Sequence, residues 1–494
     1  MNKFFYILLI SYITTLNSYA KNKVSIDINN TSLITSIKKN TDTQSYKNRV
    51  IELTLSDAIY LGVRGNRSIK SAYLDRISQK FELRTIEDMF TPKTQIKTSY
   101  LYDRNKNDKY KEGYISPETT LLTPYGTMFN LSWARSQKNS DNSGIYSSDG
   151  ANISIIQPLL RGAGKDIATA PVKLGQLTEQ LNRLTLKNTI IETLTNVTIS
   201  YRDLLLSQEQ VKIARQSLER SRRLVKINQA MIDAGRMAEF DIIQTEADVA
   251  SQELTLQEAL NHQEDVKLAL LQLLGLDLNS PIIASDHLTA KYIDVNIDQA
   301  LSEAAYYQPG WLIKLINVKQ ALINLSIATN NRLWDVSLVA GASQNRVSQK
   351  KTKTSHDWDN YIGLQLTIPI GDMNAQLEEV RAKINFQNQS LQLKESHQQL
   401  ERDVNNAIRN LKTSWRQYEI SLRLSKLSKQ KLDIERKKLT IGRSSNFQVL
   451  SFENDRRNAD NMKITALINY LNAQTYLDKI LGTSLKSWGI YLND

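Results

Sequence analysis

The sequence AGRMAEFDIIQTEADVASQELTLQEALNHQEDVKLALLQLLG (residues 234–275) has a related copy, IGRSSNFQVLSFENDRRNADNMKITALINYLNAQTYLDKILG (residues 441–482), at a constant offset of 207 and without a gap. Gly235-Arg236 aligns with Gly442-Arg443, Phe240 with Phe447, Glu246 with Glu453, and Leu274-Gly275 with Leu481-Gly482. A chain made of two similar halves typically builds a pseudo-symmetric ring or bundle, rather than a pocket with one catalytic corner.

Both copies have helical periodicity, and a longer helical tract precedes each one. Between about 168 and 233, and again between about 375 and 441, apolar residues recur every three or four positions, which is coiled-coil spacing. Gly235 and Gly442 are predicted to end these tracts, since glycine readily adopts the positive φ of a helix end. Tracts at 56–90, 236–275, 298–333 and 444–481 are shorter. Two short tracts stacked end to end match the length of one long helix.

Short segments between the helical tracts alternate apolar with small or polar residues. They are 94–102, 127–135, 151–157, 335–343 and 360–370, with Tyr100, Trp133, Trp334, Trp358 and Tyr361 in or beside them. Alternating strands of about ten residues with interfacial aromatics are typical of a transmembrane β-barrel with a polar lumen. A soluble, half-buried hairpin satisfies the same pattern. The polar segments 103–117 and 344–359 favour the barrel, because they are predicted to be long external loops.

The N-terminus predicts export. Met1–Ala20 contains Lys3, an apolar run from Phe4 to Ile13, and a small-residue end at Ser18-Tyr19-Ala20, which together resemble a secretory signal peptide. Residues 21–49 are polar and aperiodic, so we expect a flexible lead-in. No later stretch is apolar enough for a transmembrane helix. The net charge of +12 would suit nucleic acid, but the basic residues are dispersed and an exported chain has little access to it.

No catalytic constellation is apparent, so the chain is not predicted to be an enzyme. The four histidines are dispersed and there is no cysteine, so neither a metal site nor a cofactor is predicted. GAGKD at 162–166 resembles a phosphate-binding loop, but Asp166 stands where Ser or Thr is needed and Leu159 where the first Gly belongs. A strand-to-helix corner explains it better.

The segments ISIIQPLLRGAG (153–164) and LQLTIPIGDMNAQ (364–376) resemble the strand-to-helix corners of TolC-like outer-membrane efflux proteins, with Gln157, Pro158, Pro369 and Gly371 at the corners. The resemblance covers essentially the whole mature chain. It implies a mainly α fold with a small β part and duplicated halves. The long coiled helical hairpins would form a periplasmic α-barrel, and a homotrimer would share one transmembrane β-barrel in the outer-membrane lipid.

The resemblance also implies a function. The chain would be the passive exit duct of a tripartite efflux or type I secretion system, receiving drugs, small molecules or proteins from a periplasmic adaptor and an inner-membrane transporter. A periplasmic coiled-coil adaptor or structural protein is the alternative. The expected domains are a signal peptide (1–20), the lead-in (21–49), a first repeat (50–282) with strands in 94–157 and a hairpin at 168–275, and a second repeat (283–494) with strands in 335–370 and a hairpin at 375–482.

Two sets of site residues follow from the resemblance. The adaptor would dock at the helix turns, at Gly235, Arg236, Met237, Gly442, Arg443 and Ser444. The periplasmic gate would lie just beyond them, at Asp241, Gln448, Ser451, Glu453 and Asp455. The family's acidic rings fall on Gln448 and Ser451, which are not acidic. We expect Arg236 and Arg443 to hold the gate closed by pairing with Asp233, Asp241, Glu453 or Asp455.

The first half departs from the family's four strands per subunit. Residues 118–136 form an additional hairpin-like stretch that turns at Pro124-Tyr125-Gly126 and has no predicted counterpart in the second half. Residues 127–135 alternate, so the stretch is expected either to add a hairpin on the membrane side or to cap the mouth of the barrel. We favour the added hairpin.

Overall fold

Helices alternate along the chain with the strands of a six-stranded antiparallel sheet in the computed structural model, which describes residues 50–104, 109–141, 144–349 and 355–491. From Glu52 onward these residues belong to one compact unit. The predicted signal peptide and lead-in lie outside the described residues. None of the described helices combines the length and the apolarity needed to cross a lipid bilayer.

The two halves contain corresponding helices. The first half has α1 (Leu55–Gly65), α2 (Arg67–Glu87), α3 (Lys165–Ala168), α4 (Ala170–Asp233) and α5 (Asp241–Leu274). The second half has α6 (Ile297–Tyr307), α7 (Pro309–Asn331), α8 (Met373–Thr440), α9 (Asn446–Leu481) and α10 (Ser484–Ser487). The long helices α4 and α8 have 64 and 68 residues, which makes each about 100 Å long at ~1.5 Å per residue.

Each long helix packs against two shorter helices that follow one another along its length, as the tract lengths predicted. Helices α5 and α2 both contact α4, and α9 and α7 both contact α8. The end of α5 meets the start of α2, where the side-chain nitrogen of Asn66 donates to the backbone oxygen of Leu273 at 2.8 Å. The end of α9 similarly meets the start of α7, where the glycine at 482 lies against the Tyr307 carbonyl.

The tracts predicted at 56–90 and 298–333 are each divided into two helices. Asn66 ends α1, and its side-chain oxygen accepts hydrogen bonds from the backbone N–H groups of Ser68 and Ile69 at the start of α2. Gln308 caps α7 in the same way, and Pro309 follows it in the first turn. The first turn of any helix leaves backbone N–H groups without an intrahelical partner. Because Asn66 and Gln308 satisfy these groups, they favour a new helix start at this point over a continuous helix.

The same C-terminal cap ends both helices of each long hairpin. Gly235, Gly275, Gly442 and Gly482 have φ between 70° and 75°. At each of them the next residue's N–H reaches back to a carbonyl five positions earlier, as Arg236 does to Met231 and Arg443 does to Lys438, both at 2.9 Å or less. This is the Schellman geometry, so the duplication seen in the sequence is also present in the backbone.

Buried tyrosines hold the connectors, which are the non-helical residues 50–54 before α1 and 275–296 between α5 and α6. Strands β1 (Ile51–Leu53) and β6 (Ile282–Ala284) are short. The hydroxyl of Tyr201 on α4 lies 2.8 Å from the Leu53 carbonyl oxygen and 2.8 Å from an Asp286 carboxylate oxygen. In the second half, the hydroxyl of Tyr470 donates to the Lys291 carbonyl at 2.8 Å. Both rings are fully buried, each in a separate apolar core.

The sheet has six antiparallel strands in the order β2-β3-β4-β5-β7-β8. They are β2 (Lys93–Arg104), β3 (Lys109–Leu122), β4 (Met128–Ser140), β5 (Gly144–Pro158), β7 (Asp335–Gln349) and β8 (Ser355–Thr367). The prediction of a long external loop at 103–117 was therefore wrong, because residues 109–117 belong to β3. The loop predicted at 344–359 was also too long. Polar residues fit these strands because one face of the sheet is mostly polar.

The segment without a counterpart in the second half is not 118–136 but the hairpin β2–β3. Asn66 and Gln308, which cap α2 and α7, are 242 positions apart, whereas Met128 and Asp335, which begin β4 and β7, are 207 apart. The first half therefore has 35 more residues between these points (242 − 207), and β2 and β3 lie there. The sequence placed the turn at 124–126 correctly, but that turn joins the inserted hairpin to β4.

Substituting alanine at Gly442 and Gly482 separates backbone strain from a steric clash. Both glycines have nearly the same φ, but a Cβ at Gly482 would lie 2.5 Å from the Tyr307 carbonyl oxygen, whereas one at Gly442 meets nothing within 4 Å. We expect Gly442→Ala to cost about 1–3 kcal/mol from positive φ alone. Gly482→Ala should lower the thermal unfolding midpoint further. Equal midpoints for the two variants would contradict the close contact between α9 and α7.

Candidate functional site: the helical tip

The two helix–helix turns are formed by residues 234–240 between α4 and α5 and residues 441–445 between α8 and α9, and we call them the tip. In the second turn, Ser445 caps α9 by accepting a hydrogen bond from the N–H of Gln448 at 3.3 Å. In the first turn, Phe240 precedes α5 without a side-chain cap. The first turn is thus two residues longer, although the sequences align there without a gap.

The predicted docking residues occupy two kinds of position. Gly235, Arg236, Gly442 and Arg443 are exposed. Met237 is half-buried and packs against the apolar cluster of Leu224, Leu432, Leu439, Val449 and Leu450 beneath the tip. Ser444 is also partly buried, and its hydroxyl donates to a carboxylate oxygen of Glu435 at 2.6 Å. The exposed surface of the tip therefore includes two arginines, whereas Met237 and Ser444 join it to the helices.

Glu435 is kept charged at the tip. The hydrogen bond from Ser444, together with the ammonium group of Lys438, lowers the pKa of the Glu435 carboxyl below its usual value. A carboxyl whose pKa is lowered by folding stabilises the fold above its unfolded pKa, and this contribution is lost as the pH falls through its folded pKa. The interaction therefore persists at neutral pH and weakens only in acid.

A buried polar cluster joins the two hairpins directly above the tip. Asn446 on α9 donates through its side-chain nitrogen to the hydroxyl of Thr245 at 3.0 Å and to the backbone carbonyl of Asp241 at 3.3 Å. Asn228 on α4 donates to the same hydroxyl at 2.7 Å. Asn228, Thr245 and Asn446 are all buried. The predicted gate residue Asp241 thus takes part through its backbone.

A buried carboxylate makes the second connection. Glu453 on α9 has a side chain 5 % exposed, and one of its oxygens accepts from the Nε of Arg220 on α4 at 2.8 Å. Its other oxygen accepts from Arg436 on α8. A buried charge is expensive unless it is paired, and here two arginines from different hairpins pair it.

The acids at the tip have partners other than those expected. Glu453 pairs with Arg220 and Arg436, and Asp455 pairs with Lys431 on α8 at 3.1 Å. In the part of the chain that the structure describes, neither Arg236 nor Arg443 forms an ion pair. Both arginines lie on the exposed ends of helix caps, whereas Glu453 faces the neighbouring helices. Gln448 and Ser451 are half-buried on α9.

A third connection was not predicted from the sequence. Arg457 on α9 donates to the side-chain oxygen of Gln252 on α5 at 2.7 Å, and Gln252 is 2 % exposed. Gln252 is seven positions after Thr245, and Glu453 is seven positions after Asn446. Buried polar residues at heptad spacing were therefore the signal in the sequence, since positions seven apart occupy the same face of a coiled helix. We call the pairs Asn446–Thr245, Glu453–Arg220 and Arg457–Gln252 the inter-hairpin contacts.

The predicted strand-to-helix corners lie at the opposite end of the long helices. Pro158 is the last residue of β5, and the Gln157 side chain accepts a hydrogen bond from the Thr127 hydroxyl. Arg161 forms an ion pair with Asp335 at 2.6 Å, which joins this corner to the start of β7. After β8, Pro369 precedes Gly371, whose φ of +74° turns the chain into the cap of α8 at Asp372. Gly164 similarly precedes α3, so GAGKD is a corner.

Comparison with protein families gives a match along most of the chain. A family model described as outer membrane efflux protein matches residues 126–276 and 315–483. The chain belongs to the outer membrane efflux protein family. The first match begins at the β3–β4 turn, after the inserted hairpin. Comparison with curated proteins found no match.

Solved outer-membrane channels share the fold. The Campylobacter jejuni CmeC outer membrane channel superposes with a TM-score of 0.67 at 16 % identity, over 87 % of this chain and 86 % of that one. The Vibrio cholerae outer membrane protein VceC gives 0.67 at 13 % identity, over 87 % and 96 %. The open state of Neisseria gonorrhoeae MtrE gives 0.65 at 15 %, over 87 % and 89 %. The family match confirms the predicted family, and these likenesses confirm the predicted fold class.

Replacing Glu453 should loosen the tip much more than replacing Asp455. Glu453→Ala leaves Arg220 and Arg436 without their shared carboxylate, and breaking a buried pair costs about 3–5 kcal/mol. Asp455→Ala removes a pair whose side chains are about half exposed, which is worth at most about 1 kcal/mol. Amide hydrogen exchange in the first turns of α9 should accelerate strongly in the first variant only. Similar acceleration in both would contradict the role given to burial.

Proposed function

We propose that this chain is the outer-membrane exit duct of a tripartite efflux or type I secretion system, through which drugs, small molecules or proteins pass passively. The division of the sheet into two faces is the main support. Phe129, Ile155, Ala340 and Ile362 lie side by side on four adjacent strands, and Ser132, Asn152, Ser343 and Asp359 lie side by side on the opposite face. An apolar face suits lipid and a polar face suits an aqueous lumen.

The duct is a homotrimer in this proposal. Strands β2 and β8 are the two edges of the sheet, and edges in a membrane must be paired. Neighbouring copies supply these partners. Helices α8 and α9 also border an exposed groove of about 750 Å³, in which Leu424, Leu427, Ile434 and Met462 form an apolar part beside the Lys431–Asp455 ion pair. An apolar surface of this kind on long helices supports lateral contact with another subunit.

The tip receives the periplasmic adaptor, and the adaptor connects the duct to an inner-membrane transporter. Gly235, Arg236, Gly442 and Arg443 supply the exposed docking surface, with Met237 and Ser444 beneath it. The inter-hairpin contacts hold the hairpins together until the adaptor releases them. Glu453 belongs to these contacts, and the backbone carbonyl of Asp241 accepts a hydrogen bond from Asn446 beside them. Gln448, Ser451 and Asp455 lie on α9, one of the helices that would move. No step of this function requires catalysis or a cofactor.

The domain boundaries follow the same proposal. Residues 1–20 are the signal peptide, 21–49 the lead-in, 50–282 the first repeat and 283–494 the second. Export through the signal peptide delivers the chain to the outer membrane, with its helical hairpins in the periplasm.

Mass measurement and cell fractionation test the assembly. We expect a trimer in detergent and recovery of the protein with the outer membrane, because the sheet edges need partners in lipid. A stable monomer, or recovery from the soluble periplasm, would contradict the duct and favour a periplasmic adaptor or structural protein.

Single-channel conductance tests the gate. Combining Thr245→Val with Arg457→Ala removes two inter-hairpin contacts without changing the exposed tip, so we expect larger conductance in planar bilayers and greater sensitivity of cells to large antibiotics. The matched variant Asp241→Ala with Arg443→Ala changes side chains that form no ion pair within the described residues. A larger conductance only in this second variant would show that a pair between subunits holds the gate instead. Unchanged conductance in both, with trimers intact, would reject a polar gate.

A further inference from the structure

We propose that the inserted hairpin β2–β3 is part of the barrel, so that six strands from each of three copies close an 18-stranded barrel. The neighbouring subunit then pairs with β2, a strand of the insertion. This inference rests on the proposed function. Without the insertion, β4–β5 and β7–β8 would provide two strands from each half, or four from each chain.

The first argument is that both faces of the sheet continue through the insertion. On the apolar face, Leu121 of β3 pairs with Phe129 and extends the row that ends at Ile362. On the polar face, Gln95 and Glu118 extend the row that ends at Asp359. A hairpin that covered the mouth of the barrel would meet water on both sides and would not need this alternation.

The second argument is that β3 pairs along almost its whole length with β4. Its register runs from Tyr110 opposite Ser140 to Leu122 opposite Met128. At the helical end of the sheet, the turn after β3 packs against the corner that follows β5. A Cβ on Gly126 would lie 2.6 Å from the Gly162 carbonyl oxygen, and the Thr127 hydroxyl donates to Gln157. The hairpin is therefore held at the level of the other strands.

The third argument is strand direction. Because the insertion contains two strands, the edges β2 and β8 run in opposite directions in the antiparallel sheet. Each β2 can consequently pair in the antiparallel sense with the β8 of a neighbouring copy, and repetition closes the barrel. An odd number of inserted strands would have given edges that could meet only in parallel.

The insertion determines the width of the exit. Barrel diameter grows roughly linearly with strand number, so three copies with six strands form a pore about one and a half times as wide as three copies with four. Barrels of 16–18 strands leave an aqueous channel. The outer-membrane segment would thus be a wide water-filled exit, and the helical tunnel would set the size limit for cargo.

Cysteine labelling tests the position of the hairpin, because the chain contains no native cysteine. Leu121→Cys and Thr120→Cys lie on opposite faces of β3. Ile155→Cys and Ser154→Cys on β5 lie in the same two register rows and are the matched controls. Each cysteine carries an environment-sensitive fluorophore in trimers reconstituted into phospholipid vesicles. Quenching is then measured with spin-labelled lipid and with aqueous iodide.

We expect spin-labelled lipid to quench positions 121 and 155 and iodide to quench positions 120 and 154. If the β5 pair alternates but iodide quenches both β3 positions, the hairpin lies outside the barrel and the inference is overturned, while the duct remains supported. If lipid quenches none of the four, the proposed function itself fails, and the inference fails with it.

Disulfide cross-linking provides a second test that does not depend on fluorophores. Gln95→Cys on β2 is combined in turn with Asp359→Cys, Tyr361→Cys and Gly363→Cys on β8, all on the polar face. We expect one of these combinations to yield a covalent trimer on a non-reducing gel. The control replaces Gln95→Cys with Asn130→Cys on β4 and keeps the same three cysteines on β8. A covalent trimer formed only with this control would place the subunit boundary at β4 and overturn the inference.

Discussion

The fold depends on packing along the whole length of two very long helices. A helix in a folded protein gains most of its stability from packing an apolar face, and α4 and α8 each need a partner along about 100 Å. No single short helix is long enough. Two are therefore placed in series, and each junction must bring a helix end against a helix start. This explains why Gly275 and Gly482 lie at the junctions, since a side chain there would strike the carbonyl of Gly65 or Tyr307.

The shorter helices α5 and α9 meet the opposite hairpin through polar side chains, where an apolar interface would be more stable. Above the tip, Thr245, Gln252, Asn446 and Glu453 occupy buried positions that a simple coiled coil would fill with leucine. Polar groups at such positions specify which helices meet and in which register, at a cost in stability. They also permit separation, because each group can exchange its protein partner for water. The deeper cores around Tyr201 and Tyr470 consist mainly of apolar side chains, which cannot replace their protein contacts by hydrogen bonds to water. Flexibility is thus expected at the tip and rigidity at the connectors.

The insertion shows how a duplicated fold can change one end without changing the other. The 35 additional residues lie between α2 and β4 (242 − 207), where the chain is already in the sheet. A hairpin can be added there without altering the lengths of the helices, because its two strands return the chain to the same end. The helical hairpins of the two halves therefore remain equivalent, while the sheet becomes unequal, with four strands from the first half and two from the second.

The sequence by itself determined the family, the duplicated halves, the long hairpins and the glycine turns, because these depend on local periodicity and on the backbone freedom of glycine. It also predicted the corners around Pro158 and Gly371. Only the tertiary structure decided which residues join the hairpins. Arg220 and Glu453 are 233 positions apart, and Gln252 and Arg457 are 205 apart, so no local pattern reveals them as partners. The polar strand β3 was read as a loop for a related reason: its residues fit a strand only beside β2 and β4, since strand pairing is a property of neighbours and not of one segment.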